Sequence, residues 1–554
     1  MSDLSSDGSS NNYGTNQGGQ AGLPIEPRRP MERWGSRLGV ILAVMGSAIG
    51  LGNFLRFPGL AAKYGGGHFM IPYFVAFFLL GLPIAWAEWA IGRRGGRYGF
   101  NSTPGIFFAI WKNRLSPYLG VLGLIIPVGI YMYYVFIEAW CLYYALQYLQ
   151  GGMSLGKDPA AYGDFFATFI GAKGDGSLLS LKESPALAFL LLCFVINFVI
   201  IYRGLSKGIE FVTKYAIPLL FVCAVLVLIR VLTLGTPDPG EPTRNVLNGL
   251  GQMWNTGTAQ KPLLVSLANP EMWLEAAGQI FFSLSVGFGI IITYSSYLKK
   301  NDDVLLSGTT SASGNIFAEV ALGGLITIPA AFIFLGPDNL GGGTFSLGFK
   351  TLPNVFANMP LGSFFGFLWF FLLFLAAVTS SLSMLQPAVA FLEEGLGVGR
   401  RVAVTILGFV TLMGSLFIVY FSGNTRAMDM MDFWIGSVFI YILATLTIII
   451  FGWVIGAKKG LEEAKQGSLL DVPNWVAFII KYVSPAYLLI VFGFWLYGSV
   501  PKTIKGYLDN FRKGEFVEVY TLGFIVLLMV FLILLIAAST RNWRRDGRGK
   551  ELES

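Results

Sequence analysis

Histidine is nearly absent: His68 is the single one in 554 residues. Imidazole metal sites and Ser–His or Cys–His relays have almost nothing to work with. Cysteine is scarce too. Cys141, Cys193 and Cys223 all fall in apolar runs, with neither metal-ligand spacing nor a loop position that a disulfide framework would use. They read as small buried hydrophobes. Charge is thin, with 13% Asp, Glu, Lys and Arg against 54% hydrophobic residues. A soluble chain of this length would expose too few charges to stay dispersed, so the balance is that of a polytopic membrane protein. No nucleophile–base pair, metal cluster or cofactor motif marks an enzyme. The apolar core and small-residue cleavage site of a secretory signal are missing, so the first apolar run is expected to direct insertion.

What is abundant is apolar sequence in lengths that cross a bilayer, about 20 residues for about 30 Å. Twelve runs can be marked, at 38–60, 68–91, 117–149, 186–202, 209–233, 271–298, 304–335, 363–394, 400–421, 430–455, 474–498 and 517–539. The third and eighth are long enough to tilt or project. The formal net charge of +7 could point to nucleic acid, but its distribution does not. Basic residues gather in alternate loops, including Arg93–Arg94, Lys299–Lys300, Arg400–Arg401 and Arg544–Arg545. Twelve spans put all of these and both termini on one side, which the positive-inside bias makes cytoplasmic. A multi-pass protein of a cell inner or plasma membrane is expected, with lipid rather than nucleic acid around it. Nothing in the sequence sets an oligomeric state.

One stretch breaks the pattern. GSAIGLGNFLRFPG, Gly46 to Gly59, puts four glycines, Asn53, Arg56 and Pro58 inside the first span. Five spans later QIFFSLSVGFG interrupts the sixth with Ser283, Ser285, Gly287 and Gly289. Two Gly-interrupted spans at corresponding positions point to inverted repeats meeting at a mid-membrane site. Five is odd, so the second half enters from the opposite face. The expected organisation is a disordered cytoplasmic tail over 1–32, a first five-helix repeat over 33–233 and an extracellular loop over 234–269. A second, inverted repeat follows over 270–455, then helices eleven and twelve over 456–540 and a cytoplasmic tail over 541–554. The fold class is all-α integral membrane, with twelve transmembrane helices and the first and sixth broken. The 336–362 stretch is expected as an outside loop folding over the entrance.

A helix break frees backbone N–H and C=O groups that lipid cannot satisfy. They become tolerable when they meet a polar guest: N–H groups a carboxylate, carbonyls a hard cation or an ammonium. Close packing of small residues is the competing reading for Gly46 and Gly50, which stand four apart. Other polar groups in the spans are few. Asn315 and Glu319, four apart, share a helix face. The Ala376 carbonyl and the Thr379 and Ser380 hydroxyls fall at i, i+3 and i+4. Oxygen-only ligation of this kind suits Na⁺. Glu138 in the third span is a functional candidate by its depth, or a buried helix-contact acid.

GSAIGLGNFLRFP, GGGHFMIPY, QIFFSLSVGFG, SGNIFAEV, AAVTSSLSMLQP and MDFW, in this order, resemble the neurotransmitter:sodium symporter family. The closest likeness is to its bacterial amino-acid branch, from about Trp34 to beyond Asp432. The resemblance implies two sodium ions. One would be held by the Ala48 carbonyl, Asn53, Ser283, Asn315 and the substrate's own carboxylate. The other would sit among the Gly46, Ile49 and Ala376 carbonyls and the Thr379 and Ser380 hydroxyls. The substrate carboxylate would also meet the Leu51 and Gly52 N–H groups and Tyr134. Its amine would meet the Ala48, Phe282 and Ser283 carbonyls and Ser285. The implied walls are Ile130, Tyr134, Phe282, Phe288, Ser380 and Met384, a pocket of middling volume for a neutral, apolar side chain.

Two positions bear on the branch. Gly50 stands where monoamine-carrying members have an aspartate, so the substrate must bring its own carboxylate. Glu319 stands where chloride-dependent members have a serine, and a fixed carboxylate makes added chloride redundant. The implied outer gate is Arg56 with Asp432, above an aromatic lid of Tyr134 and Phe282. The implied cytoplasmic gate is Trp34, Tyr297, Gln386 and Glu394. Met31 occupies the place of that gate's usual arginine, for which Arg33 or the Arg28–Arg29 pair would substitute. The activity implied is sodium-coupled, chloride-independent symport of neutral, apolar α-amino acids by alternating access, with a nutrient receptor using the same site as the alternative.

Overall fold

The computed structural model describes residues 32–179, 184–258, 262–336 and 343–548. Of the expected N-terminal tail only Glu32 is among these, and residues 549–554 of the expected C-terminal tail lie outside them. Every regular element among the described residues is helical. Among the described residues nine helices are long and apolar enough to cross a membrane. They are α3 (Gly67–Arg97), α4 (Ser116–Gln150), α6 (Leu205–Leu232), α9 (Val304–Leu335), α10 (Gly362–Leu396), α11 (Arg400–Tyr420), α12 (Gly423–Lys465), α13 (Trp475–Arg512) and α14 (Val517–Arg545). A tenth span is the pair α1 (Arg37–Ala48) and α2 (Gly52–Lys63), bent by 46° at the break. The remaining two apolar runs are α5 (Ala186–Tyr202), 17 residues long, and the interrupted α7 (Pro270–Leu284) and α8 (Ile290–Ser296). Helix α14 runs to Arg545, into the segment expected as a tail.

Both breaks have a local cause. At Ile49 the backbone turns extended, with φ −76° and ψ 95°, between Gly46 and Gly50. At the second break Ser285, Gly287 and Gly289 all take positive φ, at 55°, 78° and 79°. A β-carbon on Gly287 would come within 2.8 Å of the Ile440 carbonyl oxygen, and one on Gly289 within 2.7 Å of that of Gly123. Only glycine combines that backbone angle with such close approach.

Helix α4 is the central post: its most apolar stretch is wholly buried by neighbouring helices. The 35-residue α10 makes the most extensive packing of any helix against it. This sets the Ser380 hydroxyl beside Tyr134 and the Ser381 hydroxyl beside Glu138. At the rim, α14 turns Leu522, Val526, Leu527 and Leu534 outward, an apolar flank that suits lipid. The segment after α9, expected as an outside loop, forms short helices over 344–358 that fold back across the molecule. Tyr144 Oη donates to the Phe349 carbonyl at 3.2 Å, and Asn354 Nδ2 to that of Lys157 at 2.8 Å.

Candidate functional site

The α1 break leaves carbonyls without their usual donors. The Gly50 N–H, four residues after Gly46, donates to Asn53 Oδ1 at 2.9 Å. The Leu51 N–H, four after Ser47, donates to Tyr134 Oη at 3.2 Å. The Gly46 and Ser47 carbonyls accept from side chains instead. Ser380 Oγ lies 3.3 Å from the first and 3.2 Å from the second, and Ser285 Oγ donates to the Ser47 carbonyl at 2.9 Å. The Ser47 hydroxyl closes the link with Ser285 Oγ at 3.1 Å. The two broken helices are thus stitched together through serines at mid-depth.

Two oxygen clusters follow. In the first, Asn53 Nδ2 donates to Asn315 Oδ1 at 2.8 Å, and Asn315 Nδ2 stands 2.6 Å from Ser283 Oγ. That orientation sets Asn315 Oδ1 beside the Ala48 and Ser283 carbonyl oxygens; the opposite one would donate to them at 3.1 and 3.2 Å. Three oxygens so close repel unless a cation lies among them or the amide turns its NH₂ inward. In the second cluster Thr379 Oγ1 lies 3.1 Å from the Ala376 carbonyl, and a β-carbon on Gly46 would stand 3.2 Å from Thr379 Cβ. The structure therefore brings together Ala48, Asn53, Ser283 and Asn315, and separately Gly46, Ala376, Thr379 and Ser380 beside the extended turn at Ile49.

Glu319 borders the first cluster. Its carboxylate accepts from Tyr73 Oη at 2.5 Å, from Ser283 Oγ at 2.7 Å and from Gln279 Nε2. Sequence reasoning did not single out Tyr73 or Gln279, although both stand in the quoted motifs. Ser47 was missed as well, since a lone serine in a helix ordinarily bonds one turn back.

Between the broken helices lies a small cavity of about 10 Å³, room for roughly one water molecule. It is lined by Ser47, Ala48, Gly50, Gly52, Asn53, Tyr134, Phe282, Ser283, Ser285, Phe288, Ser380 and Met384. A pocket of middling volume is therefore not what is found. Leu51 turns its side chain to the next cavity outward. Ile130 is fully buried but does not line the space, although it stands one turn before Tyr134 on α4. A β-carbon on Gly50 would stand 3.0 Å from both Ser380 Oγ and Tyr134 Oη, so no longer side chain fits without displacing them.

Tyr134, Phe282 and Gly52 also line that outer cavity, of about 90 Å³, and so form the partition between the two. Beyond is a vestibule of about 400 Å³ with Arg56, Glu271, Glu275, Asp429 and Asp432 on its walls. The expected Arg56–Asp432 ion pair is not made. Arg56 Nη2 lies 3.6 Å from Glu275 Oε2, and its guanidinium rests over the Phe282 ring at 5.4 Å. Asp432 accepts from Tyr133 Oη at 2.7 Å instead. Several acids converge on one arginine, and Glu275, on α7 beside the lid, reaches it first.

The opposite end, expected to be cytoplasmic, is closed by a chain of contacts. Trp34 Nε1 donates to the Tyr294 carbonyl at 3.0 Å, and Gln386 Nε2 to Tyr297 Oη at 3.1 Å. Arg400 is the basic centre: it donates to Gln386 Oε1 at 3.1 Å, pairs with Glu32 at 3.0 Å and lies 3.9 Å from Glu393. Among the described residues Arg400 is thus the basic partner of this end; Arg28, Arg29 and Met31 lie outside them. Glu394 does not join this gate. Its Oε2 accepts from the Asn101 and Ser102 N–H groups at 2.5 and 3.1 Å, holding the start of the helix at 103–110. One step along α10 turns a side chain by about 100°, which sends Glu393 to Arg400 and Glu394 away from it.

Residues 31–158 and 180–542 match the family described as "Sodium:neurotransmitter symporter family". An uncharacterised sodium-dependent transporter of Methanocaldococcus jannaschii is 31% identical over 466 residues, 83% of this chain and 89% of the relative. The uncharacterised sodium-dependent transporter YhdH of Bacillus subtilis is 30% identical over 488 residues, 84% of this chain and 98% of the relative. Among solved structures, MhsT in complex with L-phenylalanine superposes with a TM-score of 0.71 at 30% identity, over 84% of this chain and 99% of that one.

Proposed function

This chain belongs to the sodium:neurotransmitter symporter family, and from that premise we propose that it carries neutral, apolar α-amino acids inward with Na⁺ and without chloride. It is a multi-pass membrane transporter and not an enzyme. The observation that carries the reading is the set of α1 carbonyls freed at the break. They face serine hydroxyls and an asparagine amide at mid-depth, with no imidazole or thiolate among them. Neutral oxygen cages of this kind suit Na⁺, and two of them flank one small cavity.

An amino-acid substrate is supported by three features. The Leu51 N–H and Tyr134 Oη meet at one corner and can turn to a carboxylate together. Gly50 leaves no space there for an acidic side chain. MhsT, of the same fold, holds L-phenylalanine in its structure. Chloride independence is supported by Glu319, which already gives the Tyr73, Gln279 and Ser283 donors an anion. Alternating access is supported by the contrast between the open outer vestibule and the closed Trp34–Gln386–Arg400 end. Both termini are cytoplasmic in this reading, in a cell inner or plasma membrane. The cavity of about 10 Å³ must widen by movement of Phe282, Tyr134 or Met384 when substrate binds.

The test is uptake of labelled leucine into proteoliposomes, competed by each other amino acid in turn. Uptake should follow an inward Na⁺ gradient and yield to aliphatic competitors more than to charged ones. Uptake that ignores Na⁺, or that only charged compounds inhibit, would end the reading.

A further inference from the structure

Glu138 lies midway along α4, fully buried, and the site described above leaves it without a task. Its Oε2 accepts from Ser381 Oγ at 2.6 Å and from Asn197 Nδ2 at 3.0 Å, and its Oε1 stands 3.3 Å from the same nitrogen. The Cys193 thiol lies against it as well. The Asn197 amide nitrogen can only donate, and the Ser381 hydroxyl and Cys193 thiol are free to donate as well. An ionised carboxylate accepts only, so this array of available donors suits the charged form. Yet no lysine, arginine or histidine is among the groups that act on it. A buried charge with no opposite charge is strongly disfavoured, so a cation is wanted nearby.

The opposite imbalance lies one residue away. Ser381 follows Ser380, whose hydroxyl reaches the Gly46 and Ser47 carbonyls. The cation cage read there contains carbonyls and hydroxyls only: a site for a cation, with no anion of its own. We propose that Glu138 is the fixed counter-charge of the sodium site on α10, held by Asn197 and Ser381 so that its field acts on the ion without touching it. Asn197 brings α5 into the same unit, so three helices hold the charge at a set distance. Glu138 is in this sense a positioning residue, acting through Ser381 and through space. The inference rests on the reading of the α10 hydroxyls as sodium ligands.

The experiment uses the full-length chain, in detergent and in proteoliposomes. Labelled leucine binding is titrated with Na⁺ for the wild type, Glu138→Gln, Glu138→Asp and Ser381→Ala. The Na⁺-induced rise in melting temperature is recorded without substrate. Loss of one fixed charge should raise the half-saturating Na⁺ concentration roughly tenfold in Glu138→Gln and shrink the Na⁺-induced thermal shift. Leucine affinity at saturating Na⁺ should stay at the wild-type value, and Glu138→Asp should stay within about threefold of it. A merely structural carboxylate would lower the melting temperature without Na⁺ and leave the Na⁺ titration in place. Ser381→Ala keeps the charge but unties it from α10, and should shift the titration by about threefold. A wild-type Na⁺ titration in a folded Glu138→Gln or in Ser381→Ala overturns the inference; should Glu138→Gln fail to fold, Ser381→Ala decides alone. If the wild type itself ignores Na⁺, the transport reading falls and not this inference only.

Discussion

Replacing Glu319 by serine should turn an indifferent transporter into a chloride-stimulated one. The carboxylate is fully buried and takes hydrogen bonds from Tyr73, Gln279 and Ser283. A serine is shorter and neutral, so at most one of these donors keeps a partner. Each buried donor left unpaired costs about 1–3 kcal/mol. Two such losses amount to about 2–6 kcal/mol, and about 1.4 kcal/mol is a factor of ten. Without chloride, uptake by Glu319→Ser should therefore fall at least tenfold. A chloride ion fills the space and the charge together and should restore most of it. The assay is Na⁺-driven uptake into proteoliposomes with chloride against gluconate. Wild-type uptake that collapses in gluconate, or a folded Glu319→Ser that chloride does not stimulate, would refute the reasoning.

The combined Thr379→Ala and Ser380→Ala change removes both α10 hydroxyls from the second cluster, and Ser380 also supports the freed Gly46 and Ser47 carbonyls. Half-saturating Na⁺ should rise at least tenfold in a binding titration; an unchanged value would remove the site. Arg93 is fully buried near the C-terminal end of α3, donating to the Asp302 and Gln466 carbonyls at 2.6 and 2.9 Å and pairing with Glu463 at 3.3 Å. Arg93→Ala should cost about 3–5 kcal/mol, the scale of breaking a buried pair, read as a fall in melting temperature. Asp303 caps the start of α9. Burial alone would raise its carboxyl, but the Leu469 and Leu306 N–H groups, the Ser468 hydroxyl and Arg37 hold it below its usual 3.8. A depressed carboxyl contributes stability above its unfolded value and loses it as pH falls through the folded one. The deficit in melting temperature of Asp303→Asn should thus be full at neutral pH and fade below pH 3.8; a deficit independent of pH would contradict this.

The breaks and the shared-face polar residues could be read from residue spacing because local chemistry forces them; the roles of the site residues came from the family resemblance. Gly46, Gly50 and Gly52 with Asn53 could not make an uninterrupted span, and the bend lies there. Asn315 and Glu319, one turn apart, do share a face and both reach Ser283. What spacing could not settle was the choice among equivalent partners brought in by tertiary approach. Glu275, Asp429 and Asp432 all reach the vestibule wall, and only the placement of α7 gives Arg56 to Glu275. Glu393 and Glu394 are chemically alike, and a single rotation step decides which meets Arg400. The free volume between the broken helices likewise depends on packing and not on the lining's identity: Ile130 shares a face of α4 with Tyr134 yet stays outside the cavity.

The central claim is that substrate and sodium complete one another's site at the α1 break, through the substrate's own carboxylate. It is tested most directly by comparing leucine with isoamylamine, the same molecule without its carboxylate, for binding in saturating Na⁺. The Leu51 N–H, Tyr134 Oη and the Asn53–Ser283–Asn315 cluster would all lose their shared acceptor. Isoamylamine should therefore bind well over tenfold more weakly, several lost bonds at about 1–3 kcal/mol each sufficing. Equal affinity of the amine and the amino acid would mean that the carboxylate is no part of the sodium site, and the account would be wrong.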